Sequence, residues 1–149
     1  RPVDAIGRTF AVKDEKIGGE TIRAIYAHPP SRITWTATVP GKAQFRTFLG
    51  VDEQAWDKEG DGVVFRVGVS DGRTYEDLLI QHVDPHSEPD HRRWLPITID
   101  LDRFAGQRLD LIFNTNTSMP GRGDDGRNDF AYWGAPAICP RPYNVIAPR

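Results

Sequence analysis

A glycine-rich acidic loop near the C-terminus carries the densest set of groups that could bind a cation. Its three carboxylates belong to Asp124, Asp125 and Asp129. A hard cation prefers about six to eight oxygen ligands, which carboxylates and backbone carbonyls supply. Arg122 and Arg127 lie in the same loop and could neutralise these carboxylates through charge-assisted hydrogen bonds. The loop therefore predicts either a metal site formed by the three aspartates or a salt-bridged loop without metal.

Trp56 and a group of amide and guanidinium side chains could together bind a sugar. A sugar ring has apolar C–H faces and a hydroxyl rim, so its site needs an exposed aromatic ring surrounded by planar polar groups. Trp56 lies among charged residues in a segment without strand periodicity, which favours exposure. The polar partners are expected in a long loop after residue 113, from Asn114, Asn116, Arg122 and Asn128. The alternative is that Trp56 plugs one end of the fold.

Motifs of the common enzyme classes are absent from the sequence. It contains neither Gly-x-Ser-x-Gly nor His-Glu-x-x-His, and no glycine loop opens a helix. His82, His86 and His91 lie close together, but their spacing in a proline-containing segment matches no zinc motif, so a solvated polar loop is expected. The sequence thus predicts a protein that is not an enzyme.

Composition restricts the class of protein further. The 149 residues suit one domain, 1–149, and the formal net charge of −2 does not favour nucleic-acid binding. No apolar run approaches the ~20 residues of a membrane helix, so this chain is not expected to span a membrane. Cys139 is the single cysteine and can form no internal disulfide. Because the sequence begins with Arg1, we expect it to be part of a longer chain.

Alternating apolar residues predict an all-β fold. Residues 31–39 alternate between apolar and polar side chains, and residues 63–69 and 108–114 repeat the pattern. Turn signals such as Asp71-Gly72 separate these runs at intervals of roughly ten residues, which is typical of β-sandwiches and barrels. We expect about eight or nine mostly antiparallel strands and almost no helix.

The segment RNDFAYWGAPAI, residues 127–138, predicts the final strand. Its three aromatic residues suit a sandwich core, so Phe130, Tyr132 and Trp133 are expected to pack inward. Pro136 cannot donate a ladder hydrogen bond and is expected to end the pairing. Trp35 and Trp94 lie in other strand-like runs and are also expected in or near the core.

Several segments in order give the chain a family likeness. They include Gly60-Asp61-Gly62-Val63, Asp100-Leu101, Phe104-Ala105-Gly106-Gln107 and Asp129-Phe130-Ala131-Tyr132-Trp133-Gly134-Ala135-Pro136. With these, residues 31–138 resemble the accessory jelly-roll domains of the galactose-binding-like superfamily. They are most similar to carbohydrate-binding modules of the NPCBM type and to related uncharacterised bacterial domains. Residues 1–30 have no such likeness and are expected to be N-terminal strands or an edge cover, with 139–149 as an exit or linker.

The resemblance implies a fold, a function and a metal. The fold is a jelly-roll β-sandwich, and the function is that of a non-catalytic carbohydrate-binding accessory domain in a larger extracytoplasmic bacterial protein. Its partners would be a glycan and the other domains of the parent chain. Many domains of this kind hold one structural Ca²⁺ between loops, for which Asp124, Asp125 and Asp129 are the expected ligands. The alternative is a structural or protein–protein interaction module that binds no sugar.

Overall fold

The computed structural model describes residues 10–57, 62–117 and 130–140, which form nine strands in two antiparallel sheets. The strands are β1 (Phe10–Ile17), β2 (Glu20–Ala27), β3 (Ser31–Thr38), β4 (Ala43–Val51), β5 (Val63–Ser70), β6 (Tyr75–Val83), β7 (Leu95–Asp100), β8 (Arg108–Thr117) and β9 (Ala131–Pro140). Three short 3₁₀ turns, Glu53–Ala55, Pro89–His91 and Asp102–Phe104, complete the elements of these ranges. None of the described segments is a helix that could cross a membrane. The predicted all-β sandwich is confirmed.

The order of the strands departs from the order of the sequence in both sheets. One sheet has five strands in the order β1-β2-β9-β4-β7, and the other has four in the order β3-β8-β5-β6. The β1–β2 hairpin thus extends the five-stranded sheet through pairing of β2 with β9. At the opposite edge of this sheet lies β7, which contains Pro96, and edge strands are where a proline is tolerated in a sheet.

The strand nearest the C-terminus does not end at Pro136, contrary to the prediction. The strand β9 continues to Pro140 beside β4. The register shifts between Arg46 and Phe48, which pair with Ala137 and Gly134, so that two residues of β9 stand opposite Thr47 alone. Such a bulge adds one residue to the strand and locally interrupts the ladder, so a proline can lie there without removing a ladder hydrogen bond. The Thr47 hydroxyl donates a hydrogen bond to the Gly134 carbonyl (2.9 Å) and so helps to hold the bulge in place.

The main core lies between the sheets and is centred on Trp133 of β9. Its indole ring is fully buried and meets the ring of Phe65 edge-on, with ring centroids 5.1 Å apart. Phe113 lies 5.2 Å from Trp133 and 5.1 Å from Phe45, centroid to centroid. Offset and edge-on contacts of this kind add to the free energy gained by burying the rings. The predicted inward positions of Trp133 and of the alternating residues in β5 are confirmed.

A second, smaller cluster lies on the other face of the five-stranded sheet. It contains Ile17, Ala24, Trp94 and Tyr132, and Trp56 packs against it as a half-buried neighbour. The Trp94 indole N–H donates to the backbone carbonyl of Glu20 (3.0 Å), so the polar atom of this buried side chain has a hydrogen-bond partner.

Two carboxyl groups approach each other beside this second cluster. The Tyr132 hydroxyl donates to Asp52 (3.4 Å), and the neighbouring Glu15 forms an ion pair with Lys13 (3.6 Å). Burial raises the pKa of Glu15, and a hydrogen bond with Asp52 and the charge of that carboxylate raise it further. Burial and the same two carboxylates also raise the pKa of Tyr132, so its hydroxyl remains a donor.

The aromatic core predicts a large loss of stability on truncation of Trp133. We expect Trp133→Ala to lower the free energy of unfolding by about 3–5 kcal/mol, because it leaves a cavity between the two sheets. Trp133→Phe should retain most of that free energy, since no described residue accepts a hydrogen bond from the buried indole N–H. Urea unfolding of both variants checks this. Trp35→Ala, at a half-exposed tryptophan of β3, is the control, and an equal loss for Trp35 and Trp133 would contradict the assignment.

The raised pKa of Glu15 predicts that replacing this residue increases the stability of the fold at neutral pH but not at low pH. Its pKa is higher in the folded chain than the ordinary value of 4.5, so its protonated form favours folding and that contribution disappears as the pH rises through the raised pKa. Glu15→Gln, which is neutral at every pH, should melt at a higher temperature than the parent at pH 7. The substitution also removes the ion pair with Lys13, but the Lys13 side chain is half-exposed and the loss of this pair should lower the stability only slightly.

This difference in melting temperature should vanish below about pH 4.5, where Glu15 is protonated in both the folded and the unfolded chain. Glu20→Gln, at an exposed position of β2, is the matched control and should show no such pH-dependent gain. A Glu15→Gln variant that is less stable than the parent at pH 7 would show that the ionised carboxylate favours folding.

Candidate functional site

A depression of about 510 Å³ lies at one end of the sandwich, where three connections meet. It is lined by Glu53, Gln54, Trp56, Asp57 and Arg92 and is named here the loop-end depression. The first four of these residues follow β4, and Arg92 belongs to the connection between β6 and β7. The third connection is the β1–β2 turn, where the backbone amide of Gly18 donates a hydrogen bond to the Glu53 carboxylate.

Trp56 combines both roles that the sequence allowed. Its side chain is half-buried and packs against the second core cluster, as a plug would. It also lines the loop-end depression, as a ligand contact would. The indole N–H donates to the Val51 carbonyl (3.0 Å), so the ring is held in place and its polar atom is not offered to a ligand. A ligand would therefore meet Trp56 through the apolar surface of the ring.

Arg92 is held in a fixed position by backbone carbonyls. Its Nε donates to the Pro85 carbonyl (2.7 Å) and its Nη2 to the His86 carbonyl (3.3 Å). The side chain of His86 donates through Nδ1 to the Trp56 carbonyl (3.3 Å) and connects the two loops. These contacts use part of the guanidinium's donor capacity, and the remaining N–H groups can serve a ligand at the depression.

The carboxylates of the loop-end depression differ in how firmly they are held. Glu53 accepts a hydrogen bond from the Gly18 amide (2.9 Å), which fixes it to the β1–β2 turn. Gly18 has a φ of +62°, and an added Cβ would press on the backbone of Arg92 and Arg93 at 3.0–3.1 Å, so glycine is needed there. Asp57 is exposed at the rim. With one arginine and two carboxylates, the lining has a net negative charge.

Asn114 and Asn116 lie in a strand, contrary to the prediction of a loop after residue 113. The strand β8 continues to Thr117 with period-two alternation, so both amides face outward and Thr115 faces the core. The Thr115 hydroxyl is fully buried, donates to the Ala27 carbonyl (3.1 Å) and also meets the Ser31 hydroxyl. These hydrogen bonds satisfy a polar side chain inside the sandwich and let the strand continue.

The two asparagines line a groove on the outer face of the four-stranded sheet. It is formed by two overlapping depressions of about 430 and 380 Å³ that share Arg32, Asn114 and Asn116. We name it the outer-face groove, and its full lining is Pro30, Ser31, Arg32, Arg66, Ser70, Tyr75, Ile112, Asn114 and Asn116. Trp56 is not among these residues. The structure therefore brings Asn114 and Asn116 together and separates them from Trp56.

A carboxylate organises the side chains on one flank of the groove. Asp77 forms an ion pair with Arg66 (3.2 Å) and accepts a hydrogen bond from the Tyr75 hydroxyl (2.7 Å). The Tyr75 ring lies over Gly68, where a Cβ would overlap it. Burial, together with the hydrogen bond to Asp77 and its charge, raises the pKa of Tyr75 to about 12, so the hydroxyl is protonated at neutral pH.

The three clustered histidines do not converge on a common point. His91 accepts a hydrogen bond through Nδ1 from the Asp84 amide (3.0 Å), and His86 contacts the Trp56 carbonyl. Within the parts of the chain that the structure describes, no group of three or more histidine, cysteine or acidic side chains could hold a metal ion. His91 thus holds the start of the connection between β6 and β7, and His86 joins that connection to the one after β4.

The remaining residues that the sequence predicted for binding lie outside the described ranges. These are Arg122 and Asn128 for the sugar site, and Asp124, Asp125 and Asp129 for the metal site. Their assignments stay predictions.

Sequence reasoning missed the arginines Arg32, Arg66 and Arg92. The alternation of their strands predicts that Arg32 and Arg66 face outward, but the sequence does not show that both strands are neighbours of β8. Arg92 carried no signal of its own, because its place beside Trp56 depends on contacts between distant connections.

Sequence comparison gives one distant relative and no family. No protein-family model matches the chain. An uncharacterized protein of Archaeoglobus fulgidus is 37% identical over 101 residues, which are 67% of this chain and 25% of that protein. The chain therefore spans about a quarter of the length of this relative.

Comparison with solved structures gives a consistent fold. The structure of the M60 catalytic domain with the CBM51-1 and CBM51-2 domains from Clostridium perfringens ZmpB matches 89% of this chain and 12% of that chain, with a TM-score of 0.60 and 18% identity. The CBM51 from Clostridium perfringens GH95, solved in complex with methyl-galactose, matches 86% of this chain and 79% of that chain, with a TM-score of 0.52 and 18% identity.

A third structure, of CBM51-2 in complex with GlcNAc and INT domains from the same ZmpB, covers 86% of this chain and 27% of that chain, with a TM-score of 0.52 and 17% identity. At such identities the likeness concerns the fold. The resemblance drawn from the sequence is thereby confirmed for the fold: this chain is a jelly-roll β-sandwich of the kind found in CBM51 carbohydrate-binding modules.

Proposed function

We propose that this domain binds carbohydrate without catalysis and that the loop-end depression is its sugar site. The observation that carries the proposal is the position of Trp56. Its ring is fixed by the Val51 carbonyl and lines a depression that also presents Glu53, Asp57 and the anchored Arg92. An aromatic surface beside planar hydrogen-bonding groups is the combination that a sugar ring requires.

The charge of the depression favours a neutral sugar. Carboxylates accept hydrogen bonds from hydroxyl groups, and a guanidinium donates to hydroxyl oxygens, so Glu53, Asp57 and Arg92 can together serve neighbouring hydroxyls of one ring. An anionic ligand would meet two carboxylates and one arginine, which is unfavourable. Because Glu53 and Arg92 are already held by backbone groups, ligand binding would cost little side-chain ordering.

The role as an accessory domain of a larger extracytoplasmic protein is part of the proposal. It is supported by the similar structures from ZmpB, in which modules of this fold accompany a catalytic domain or INT domains. The relative in Archaeoglobus fulgidus is also several times longer than the matched segment. In this role the domain would hold a neighbouring catalytic domain at its glycan, and a structural Ca²⁺ held by Asp124, Asp125 and Asp129 would be compatible with it.

The alternative of a structural or protein–protein module has less support. An interaction module would be expected to expose a contiguous apolar patch. The large exposed apolar side chains of the described residues are Val12, Tyr75 and Ile80, and Val12 lies on a different sheet from the other two. Tyr75 is moreover engaged with Asp77.

Binding to a broad glycan array, followed by calorimetric titration with the neutral sugars that bind, tests the proposal. We expect Trp56→Ala to weaken binding by at least about tenfold, as truncation of a central aromatic contact commonly does. Because Trp56 also packs against the core, Asp57→Asn is the second variant; it changes an exposed carboxylate and should weaken binding without lowering the melting temperature.

Asp90→Asn is the matched control, because Asp90 is an exposed aspartate of the neighbouring connection that does not line the depression. It should bind as the parent does. A folded domain that binds no glycan on the array would overturn the proposal and favour the structural module. Sugar binding that is unaffected by both Trp56→Ala and Asp57→Asn would exclude the loop-end depression as the site.

A further inference from the structure

We propose that the outer-face groove is a second binding site, and that it takes an acidic oligosaccharide whose carboxylate or sulfate group lies between Arg32 and Arg66. This site is separate from the loop-end depression and does not depend on the function proposed there. The two share no lining residue and differ in charge.

Strand register brings the two arginines to the same row of the sheet. Arg32 of β3 pairs with Asn114 of β8, and Asn114 pairs on its other side with Arg66 of β5. Adjacent strands lie about 4.8 Å apart, so the two arginine backbones are separated by roughly 10 Å with the amide of Asn114 between them. Side chains of this length can converge over the middle strand. An anionic group placed there would receive donors from two guanidinium groups and one amide.

Among the described residues, Arg66 is paired with a carboxylate and Arg32 is not. Arg66 is paired with Asp77, which orients its guanidinium and leaves further N–H groups for a ligand. Arg32 is exposed, and among the described residues it forms no ion pair or hydrogen bond with a carboxylate. The charges of Arg66 and Asp77 cancel, so the net positive charge of the row is that of Arg32. This charge is the reason to expect an anion at this groove, in contrast to the loop-end depression.

The shape of the groove suits an extended chain. It runs along β8 from Ile112, beside Tyr75, to Asn116, beside Pro30. At about 3.3 Å per residue, that part of β8 spans roughly 13 Å. Tyr75, which is exposed, lies over Gly68 and is fixed by Asp77, supplies an aromatic edge. Asn116 continues the polar lining beyond the arginine row.

A single-stranded nucleic acid is a less suitable occupant. Such ligands require several exposed aromatic rings on which successive bases stack, together with a strongly basic groove. Tyr75 is the single aromatic residue among those that line the groove, so it offers one ring for stacking. The chain also carries a formal net charge of −2 and is not basic. A saccharide needs fewer rings because hydroxyls and the acidic group provide most of its contacts.

Titration of the intact domain with defined oligosaccharides, followed by NMR or calorimetry, tests the inference. The probes are an oligogalacturonate, a sulfated galacto-oligosaccharide and a neutral galacto-oligosaccharide of the same length, with inorganic sulfate and a short single-stranded oligonucleotide. We expect one of the two acidic saccharides to bind at least about tenfold more tightly than the neutral one, and binding to weaken with added salt. Which of them binds identifies the anionic group as a carboxylate or a sulfate.

Variants then locate the site. Arg32→Gln should weaken acidic-saccharide binding by about tenfold, because it removes a charged donor that has no carboxylate partner to leave behind. Arg46→Gln, at an exposed arginine on the five-stranded sheet, is the matched control and should have no effect. Trp56→Ala should also leave this binding unchanged, which distinguishes the groove from the loop-end depression.

Three outcomes would overturn the inference. The first is equal affinity for acidic and neutral saccharides, or an equal effect of Arg32→Gln and Arg46→Gln. The second is binding of inorganic sulfate as tight as that of the saccharides, which would reduce the groove to a simple anion site. The third is preferred binding of the oligonucleotide, which would assign the groove to nucleic acid.

Discussion

The sandwich depends on the insertion of β9 between β2 and β4. This strand comes from the far end of the sequence yet forms the middle of the five-stranded sheet, and it carries Trp133 into the space between the sheets. Phe65 and Phe113 of the opposite sheet close on that ring. Each face of β9 therefore has a packing partner, with the main core on one side and the Tyr132 cluster on the other. Without β9 the β1–β2 hairpin would lose its contact with β4, since β2 reaches the rest of the sheet through it.

The same strand connects the core to the loop-end depression. The Tyr132 side chain lies on the face of β9 opposite to that of Trp133. It packs against Trp94 in the second cluster, and Trp56 packs against the same cluster. The Tyr132 hydroxyl meets Asp52, and Asp52 caps the 3₁₀ turn Glu53–Ala55 by accepting a hydrogen bond from the Gln54 amide (3.0 Å). The side chains of the depression are thus set by a continuous path of packing and hydrogen bonds from the sheet. Binding residues supported in this way need little reorganisation when a ligand arrives.

The two candidate sites differ in charge and in shape. The loop-end depression is compact and has a net negative lining, with an aromatic ring held at its wall. The outer-face groove is elongated, lies across paired strands and has a net positive row at Arg32, Asn114 and Arg66. A compact end site suits one sugar ring, whereas a groove along a sheet suits several consecutive units. Such a division would let one small domain recognise two features of a complex glycan.

The alternation of apolar residues by itself determined the sandwich, because a strand with one apolar face must bury it against another sheet. It placed Trp133, Phe65 and Trp35 in or beside the core, and the family likeness indicated the jelly-roll arrangement. Local chemistry could not show that Pro136 lies in a bulge, since the bulge depends on the register between β9 and β4. Nor could it show that Asn114 and Asn116 continue a strand, because the polar Thr115 between them is tolerated only where Ala27 and Ser31 meet its hydroxyl. The tertiary structure alone decided which side chains share a site. Trp56 and Arg92 line the same depression, and Arg32 and Arg66 line the same groove. The members of each pair come from segments distant in sequence, so the residue types and their spacing along the chain could not show that they share a site.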